Sequence, residues 1–380
     1  GGLVMRYMFG FILQILGVDG FAGQSGNFFG YILHDYSGMV FFHVLFIVCN
    51  VVIVMGGIQG GIEKFCTVAM PALFFMLLFV IIYVAFQPGA GQGYKDMLTP
   101  NFEPISSFSG FLEVLSKAAG QMFFSLSLGM GAIISYGSYL DKKENLQKNA
   151  LIIPACDTLI AVMAACAVLP ACAAFGMEYN QGPGLLFNTM QNVFLSMGSF
   201  GSFVGFMFYF LVFIAAVTSS ISLFEAIVTW RIDANREKGK TSNRTKIMCV
   251  AAVLSLIVGL PVALDAIGGG VTGVAGAVPA PYTVFGMTID QLMAGEIPMF
   301  IDSWLDFFDV ISEGILMPLG ALVMALLIGW KWKTKDLIVP ECEASGHKFW
   351  GYGFFNFCFK FVTPIGMAVV LVGQIIDFFG

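Results

Sequence analysis

GQMFFSLSLGMGAIISYGSYL, residues 120–140, decides how this chain is read. Ser125, Ser127, Gly129 and Gly131 interrupt a run that is otherwise bulky and apolar. Glycine weakens a helix interior by about 1 kcal/mol relative to alanine, and small polar side chains can take over freed backbone groups. Two readings stay open from spacing alone. The segment is either a close packing face of the small-xxx-small type, or a discontinuous membrane helix whose freed amides and carbonyls coordinate ions and a solute. The setting is a membrane in both cases. The chain has 380 residues, 58% hydrophobic and 11% charged, with a mean hydropathy of +0.86, whereas soluble domains carry about 25% charged residues. A net charge of −6 without a polybasic run excludes nucleic acid as a partner.

Working outward, stretches long and apolar enough to cross a bilayer fall at about 38–56, 65–87, 109–140, 149–175, 201–230, 246–264, 303–330 and 350–375. Residues 1–17 read as the second half of another helix, with Arg6 inside it, and the opening without Met or a basic leader leads to the expectation that upstream sequence is missing. If the spans alternate, one set of loops holds fourteen of the 18 Lys and Arg residues and the opposite set holds only Lys95. Basic loops stay cytoplasmic, so 18–37, 88–108, 176–200 and 265–298 are expected outside. The eight cysteines are scattered singly and there are three histidines, which indicates neither a disulfide framework nor a zinc site. Neither HExxH nor GxSxG occurs, and an enzyme is not expected.

Charges at bilayer depth are costly and mark function or pairing. Asp157 lies about eight residues into the 149–175 span; it is either an interface carboxylate or a ligand. Asp306, Asp309 and Glu313 follow helical spacing and read as a solvated rim or a polar vestibule wall. Glu225 and Lys360 read by default as packing or interface anchors. In AAVTSSIS, residues 215–222, Ala215 and Thr218 are three apart and share a face, with Ser219 beside them. Hydroxyls in membrane helices usually bond back to their own backbone, but this cluster offers neutral oxygens of the kind a small hard cation prefers.

Taken together, residues 120–139, CDTLIAVMAACAVLP (156–170), AAVTSSISLFEAIV (215–228), GGIEKFCTVAMPALF (60–74) and LDFFDVISEGILMPLGALVMALLIGW (305–330) resemble the bacterial amino-acid transporter branch of the neurotransmitter:sodium symporter family. The resemblance implies an all-α polytopic membrane protein with the leucine-transporter fold of two inverted five-helix repeats, here lacking helices 1, 2 and part of 3. It divides the chain into 1–108, the remainder of the first repeat; 109–330, the second repeat of helices 6 to 10; and 331–380, a cytoplasmic loop and helix 11.

What the resemblance implies for function is sodium-coupled symport of a hydrophobic or aromatic amino acid by alternating access, in a cell inner membrane. It places the first sodium site at Ser125 and Asp157, and the second at the Ala215 carbonyl with the Thr218 and Ser219 hydroxyls. Phe124, Ser125, Ser127, Met130, Ser219 and Leu223 match the substrate-lining positions. Asp309 matches the external-gate carboxylate, with Asp306 next in line. Asp157 supplies a fixed negative charge, so chloride is not expected to be required, and its protonation in the empty carrier would allow proton counter-transport. The partners implied are an amino acid and the lipid bilayer, with a homodimer left open. The alternatives are a proton-coupled or exchanging carrier of the same fold, or an inactive transporter fragment.

Overall fold

In the computed structural model, residues 1–21, 23, 28–32, 35–177, 185–264, 304–332 and 334–379 are described, and all regular structure among them is helical. Seven helices there are long and apolar enough to cross a membrane: Ser37–Met55, Gly60–Ala85, Leu146–Ala174, Gly201–Glu237, Arg244–Leu264, Phe307–Lys331 and Tyr352–Ile375. The chain is a multi-pass membrane protein. Seven of the eight expected spans are recovered. The expected 109–140 span is instead two helices, Phe108–Ser125 and Ala132–Gly137, because the Ser and Gly residues of the opening motif break it. The loops expected outside are partly folded, into Phe28–Ile32, Ala90–Leu98 and Met190–Ser196, while the expected loop 265–298 lies outside the described residues.

Two compact units are present: one comprises Gly1–Pro100 with the described part of Ile160–Val284, the other Asn101–Leu159 with the described part of Phe285–Gly380. These units are defined by packing, whereas the repeat boundaries expected from sequence describe chain symmetry.

The first unit is organised by aromatic packing around the helix Gly201–Glu237. Tyr7 and Phe11, both fully buried, stack against Tyr209 with ring centroids 5.1 and 5.5 Å away. Phe28 and Phe187 close on Tyr7 at 5.1 and 5.3 Å. Gly205 permits this approach, because a Cβ there would stand 2.6 Å from the Phe11 ring. The Tyr209 hydroxyl donates to the Leu186 carbonyl at 2.6 Å, so its polar tip is satisfied in the core. Asp35 caps the Tyr36–Met55 helix by accepting from the Gly38 amide at 2.9 Å and pairs with Arg6, whose guanidinium lies 5.6 Å from the Phe28 ring centroid. Arg6, expected within a partial helix, is compensated across 29 residues.

In the second unit Ser107 caps Phe108–Ser125 by accepting from the Gly110 amide at 3.0 Å. Phe123, Met317 and Val370 form its small core. Leu146–Ala174 begins in this unit and is only 6% buried over its apolar window, so most of its surface requires lipid or another apolar cover.

Candidate functional site

The break is built residue by residue. Phe108–Ser125 ends with amides folding back: Leu126 onto the Met122 carbonyl at 3.0 Å, Ser127 onto Phe124 at 3.1 Å and Leu128 onto Phe123 at 2.9 Å. This is the closing hydrogen-bond pattern of a helix C-terminus, and it needs left-handed backbone. Ser127 supplies it at φ 51, the one non-glycine residue with positive φ among the described residues. Gly129 and Gly131 follow at φ 78 and 80. The next helix starts when the Ser135 amide reaches the Gly131 carbonyl at 3.0 Å. Gly129 is doubly constrained, since a Cβ there would lie 2.3 Å from the Met317 carbonyl oxygen. Of the two readings that spacing left open, the structure takes the discontinuous helix.

Ser125, the last residue before the break, donates to Asp157 with its Oγ 2.6 Å from Oδ1 and 2.8 Å from Oδ2. Two of the sequence-expected residues, 32 apart in the chain, thus meet within this unit. The partner is a neutral hydroxyl, and no cationic side chain pairs with Asp157 among the described residues. Phe124 is half exposed at 50%. Met130 packs in part against the Phe123, Met317 and Val370 core. Asp309 ends the short helix Trp304–Asp309, where it is engaged and partly buried.

In the first unit, the Thr218 hydroxyl lies 3.0 Å from the Ala215 carbonyl and 3.1 Å from that of Ile214. Hydroxyl and carbonyl are therefore on one face, as their spacing required. Ser219 is exposed and Leu223 is 42% exposed, one turn further along the same face. Ser220 turns away instead, donating to the amide oxygen of Asn50, whose nitrogen is tied to the Phe46 carbonyl at 2.8 Å. Asn50, fully buried, was not singled out from sequence; a lone amide inside VLFIVCNVVIVM was the available signal.

Glu225, expected to be a packing or interface residue, lies fully buried against Arg244, whose Nη1 is 3.1 Å from Oε1. Thr229 donates to the same oxygen at 3.1 Å, and Arg244 also reaches the Val54 carbonyl at 3.2 Å. The pair ties Gly201–Glu237, Arg244–Leu264 and the end of Tyr36–Met55 together, two turns along the helix from Thr218.

The arrangement can be set beside known proteins. Residues 31–274 match the model of the sodium:neurotransmitter symporter family. A protein of Haemophilus influenzae, named an uncharacterized sodium-dependent transporter, is 32% identical over 89% of this chain and 65% of its own length. An uncharacterized sodium-dependent transporter of Bacillus subtilis, YhdH, is 29% identical over 93% of this chain and 70% of its own length. The chain therefore spans about two thirds of the length of these relatives. The crystal structure of MhsT, solved in complex with L-phenylalanine, superposes with a TM-score of 0.75 and 28% identity, covering 98% of this chain and 76% of that one. The helices thus follow the leucine-transporter fold, and the relatives are transporters rather than enzymes. Because the family match runs through more than half of the residues, the chain belongs to the sodium:neurotransmitter symporter family.

Proposed function

We propose that this protein carries out sodium-coupled symport of a hydrophobic or aromatic amino acid across a cell inner membrane. The observation that carries the proposal is the contact of Ser125 with Asp157 at a helix break. Among the described residues this carboxylate is held by a neutral hydroxyl and meets no cationic side chain, and Na⁺ is a hard cation suited to these oxygens. Ser125 and Asp157 form the first sodium site, and Asp157 serves in place of chloride. The Ala215 carbonyl with the Thr218 and Ser219 hydroxyls forms the second. Asp309 acts as the external gate.

Coupling follows from linkage: sodium stabilises the state that also binds substrate, so both move down the ion gradient together. Each sodium carried inward across 100 mV supplies about 2.3 kcal/mol. Two with a zwitterionic amino acid supply about 4.6 kcal/mol, enough for accumulation of about a thousandfold. Phe124, Ser125, Ser127 and Met130 in the second unit, and separately Ser219 and Leu223 in the first, are assigned to substrate recognition. Their apolar members select the side chain, as does the L-phenylalanine held by the MhsT structure. Methionine lets such a pocket adapt to more than one shape.

The test is uptake into proteoliposomes. L-Phenylalanine accumulates when external Na⁺ is present and not when choline replaces it, and excess L-glutamate or L-lysine does not compete. Accumulation that persists in choline while following a proton gradient would establish the proton-coupled alternative instead.

A further inference from the structure

Away from the broken helix, the second unit holds a cavity of about 410 Å³ between the start of Leu146–Ala174 and the segment that leads into the last span. Its wall carries Lys148, His347 and Lys348, together with Leu151, Phe349 and Trp350. No carboxylate lines it, and neither lysine forms an ion pair among the described residues. The nearby Glu343 accepts from the Phe349 amide at 3.2 Å and so holds the loop. Gln147 fixes the far side in two directions: its amide nitrogen donates to the Trp350 carbonyl at 2.9 Å, and its oxygen accepts from the Trp350 amide at 3.3 Å. A side-chain amide pairing with backbone in this way holds Trp350 in register while the residue stays 69% exposed.

The level of the cavity is set by the spans on either side. Leu146–Ala174 and Tyr352–Ile375 both begin at it, and its two lysines belong to the basic loops that the charge bias of the sequence assigns to the cytoplasm. On that assignment the cavity falls where the hydrocarbon meets the cytoplasmic headgroups, and Leu151 and Trp350 on its wall are exposed. We propose that this cavity binds the phosphate headgroup of an anionic phospholipid of the cytoplasmic leaflet, with Lys148 and Lys348 on the phosphate and Trp350 against the glycerol and upper acyl chain. The apolar half of the wall distinguishes a lipid from a free anion, which has no use for it.

The test is native mass spectrometry of the full chain in detergent with equal amounts of dioleoyl-phosphatidylglycerol and dioleoyl-phosphatidylcholine, with melting in inorganic phosphate as a second arm. Phosphatidylglycerol is retained preferentially. Each lysine near an anionic headgroup contributes about a fivefold effect, so Lys148→Gln with Lys348→Gln lowers retention about 25-fold. Both lysines are exposed, which keeps folding out of the comparison. Lys148→Arg with Lys348→Arg retains the lipid, and Lys142→Gln with Lys143→Gln leaves retention unchanged. Equal retention of phosphatidylcholine, or undiminished retention by the double Gln variant, overturns the proposal. Stabilisation by inorganic phosphate that also displaces the lipid overturns its lipid source.

Discussion

Gly131 separates a broken helix from a continuous one by the sign of a stability change. Its φ is 80, and nothing stands within 4 Å of the position a Cβ would take. Gly131→Ala therefore adds no clash and only asks an L-residue to occupy left-handed backbone, at a cost of about 1–2 kcal/mol. In an unbroken helix the same substitution would stabilise by about 1 kcal/mol, through helix propensity. The two architectures thus differ by about 2–3 kcal/mol in opposite directions. Gly129→Ala extends the comparison. Its φ is 78, and the new Cβ would lie 2.3 Å from the Met317 carbonyl oxygen, so the Met317–Leu326 helix must move in addition to the backbone cost. The expected order is Gly129→Ala well below Gly131→Ala, and Gly131→Ala below the parent. Equilibrium unfolding in mixed micelles measures both, with sodium titrated to see whether the loss extends to ion binding. A more stable Gly131→Ala protein would falsify the break, and with it the placement of Ser125 at a helix end.

Four further outcomes follow from the geometry. Asp157→Asn removes the charge while keeping the contact with Ser125, so uptake in chloride-free medium falls by at least tenfold and external chloride restores part of it; unchanged transport without chloride refutes the charge role. Thr218→Val deletes one hydroxyl beside the Ala215 carbonyl and raises the sodium concentration for half-maximal uptake about tenfold, corresponding to about 1.4 kcal/mol; an unaltered sodium curve removes Thr218 from the site. Arg244→Gln takes the cation away from the fully buried Glu225 and destabilises by about 3–5 kcal/mol, and the joint replacement Arg244→Gln with Glu225→Gln recovers part of that loss in a double-mutant cycle. At Asp35, burial pushes the carboxyl up, but the Gly38 amide and the Arg6 and Ser37 side chains outweigh it and hold the group below its ordinary value of 3.8. A depressed folded value means that this stabilisation is present above about pH 4 and is lost as the pH falls through the lower, folded-state value. Asp35→Asn is expected to flatten that acid limb of the melting curve.

The parts of the fold legible in the sequence were those written locally. Ser and Gly inside a bulky run narrowed residues 126–131 to a close packing face or a break, and the break is what forms. The Ala215–Thr218 face was equally local, since three residues on a helix return to one side. Hydropathy failed where a helix outlives its apolar window. The span expected at 201–230 continues as helix through Arg231 to Glu237, and Glu225 accordingly sits deep along it, not at its rim. Its partner Arg244 belongs to the next helix, and no periodicity along one element can announce it. The same holds for Arg6 and Asp35.

These partners, invisible to sequence, give Asp157 its meaning. Burying an uncompensated charge is costly enough that folding normally supplies a countercharge, and here it does so for Asp35 through Arg6 and for Glu225 through Arg244. Both pairs cross from one helix to another, and both satisfy a carboxylate permanently. Asp157 is treated differently. It receives a serine hydroxyl at the end of a broken helix, a contact that orients the carboxylate without neutralising it. For the sodium site proposed here, permanent pairing with an arginine would leave no place for an ion that must arrive and leave. A neutral partner leaves room for a mobile cation to take the place that arginine fills in the other two pairs, which is the electrostatic condition that the proposed coupling of solute movement to sodium requires.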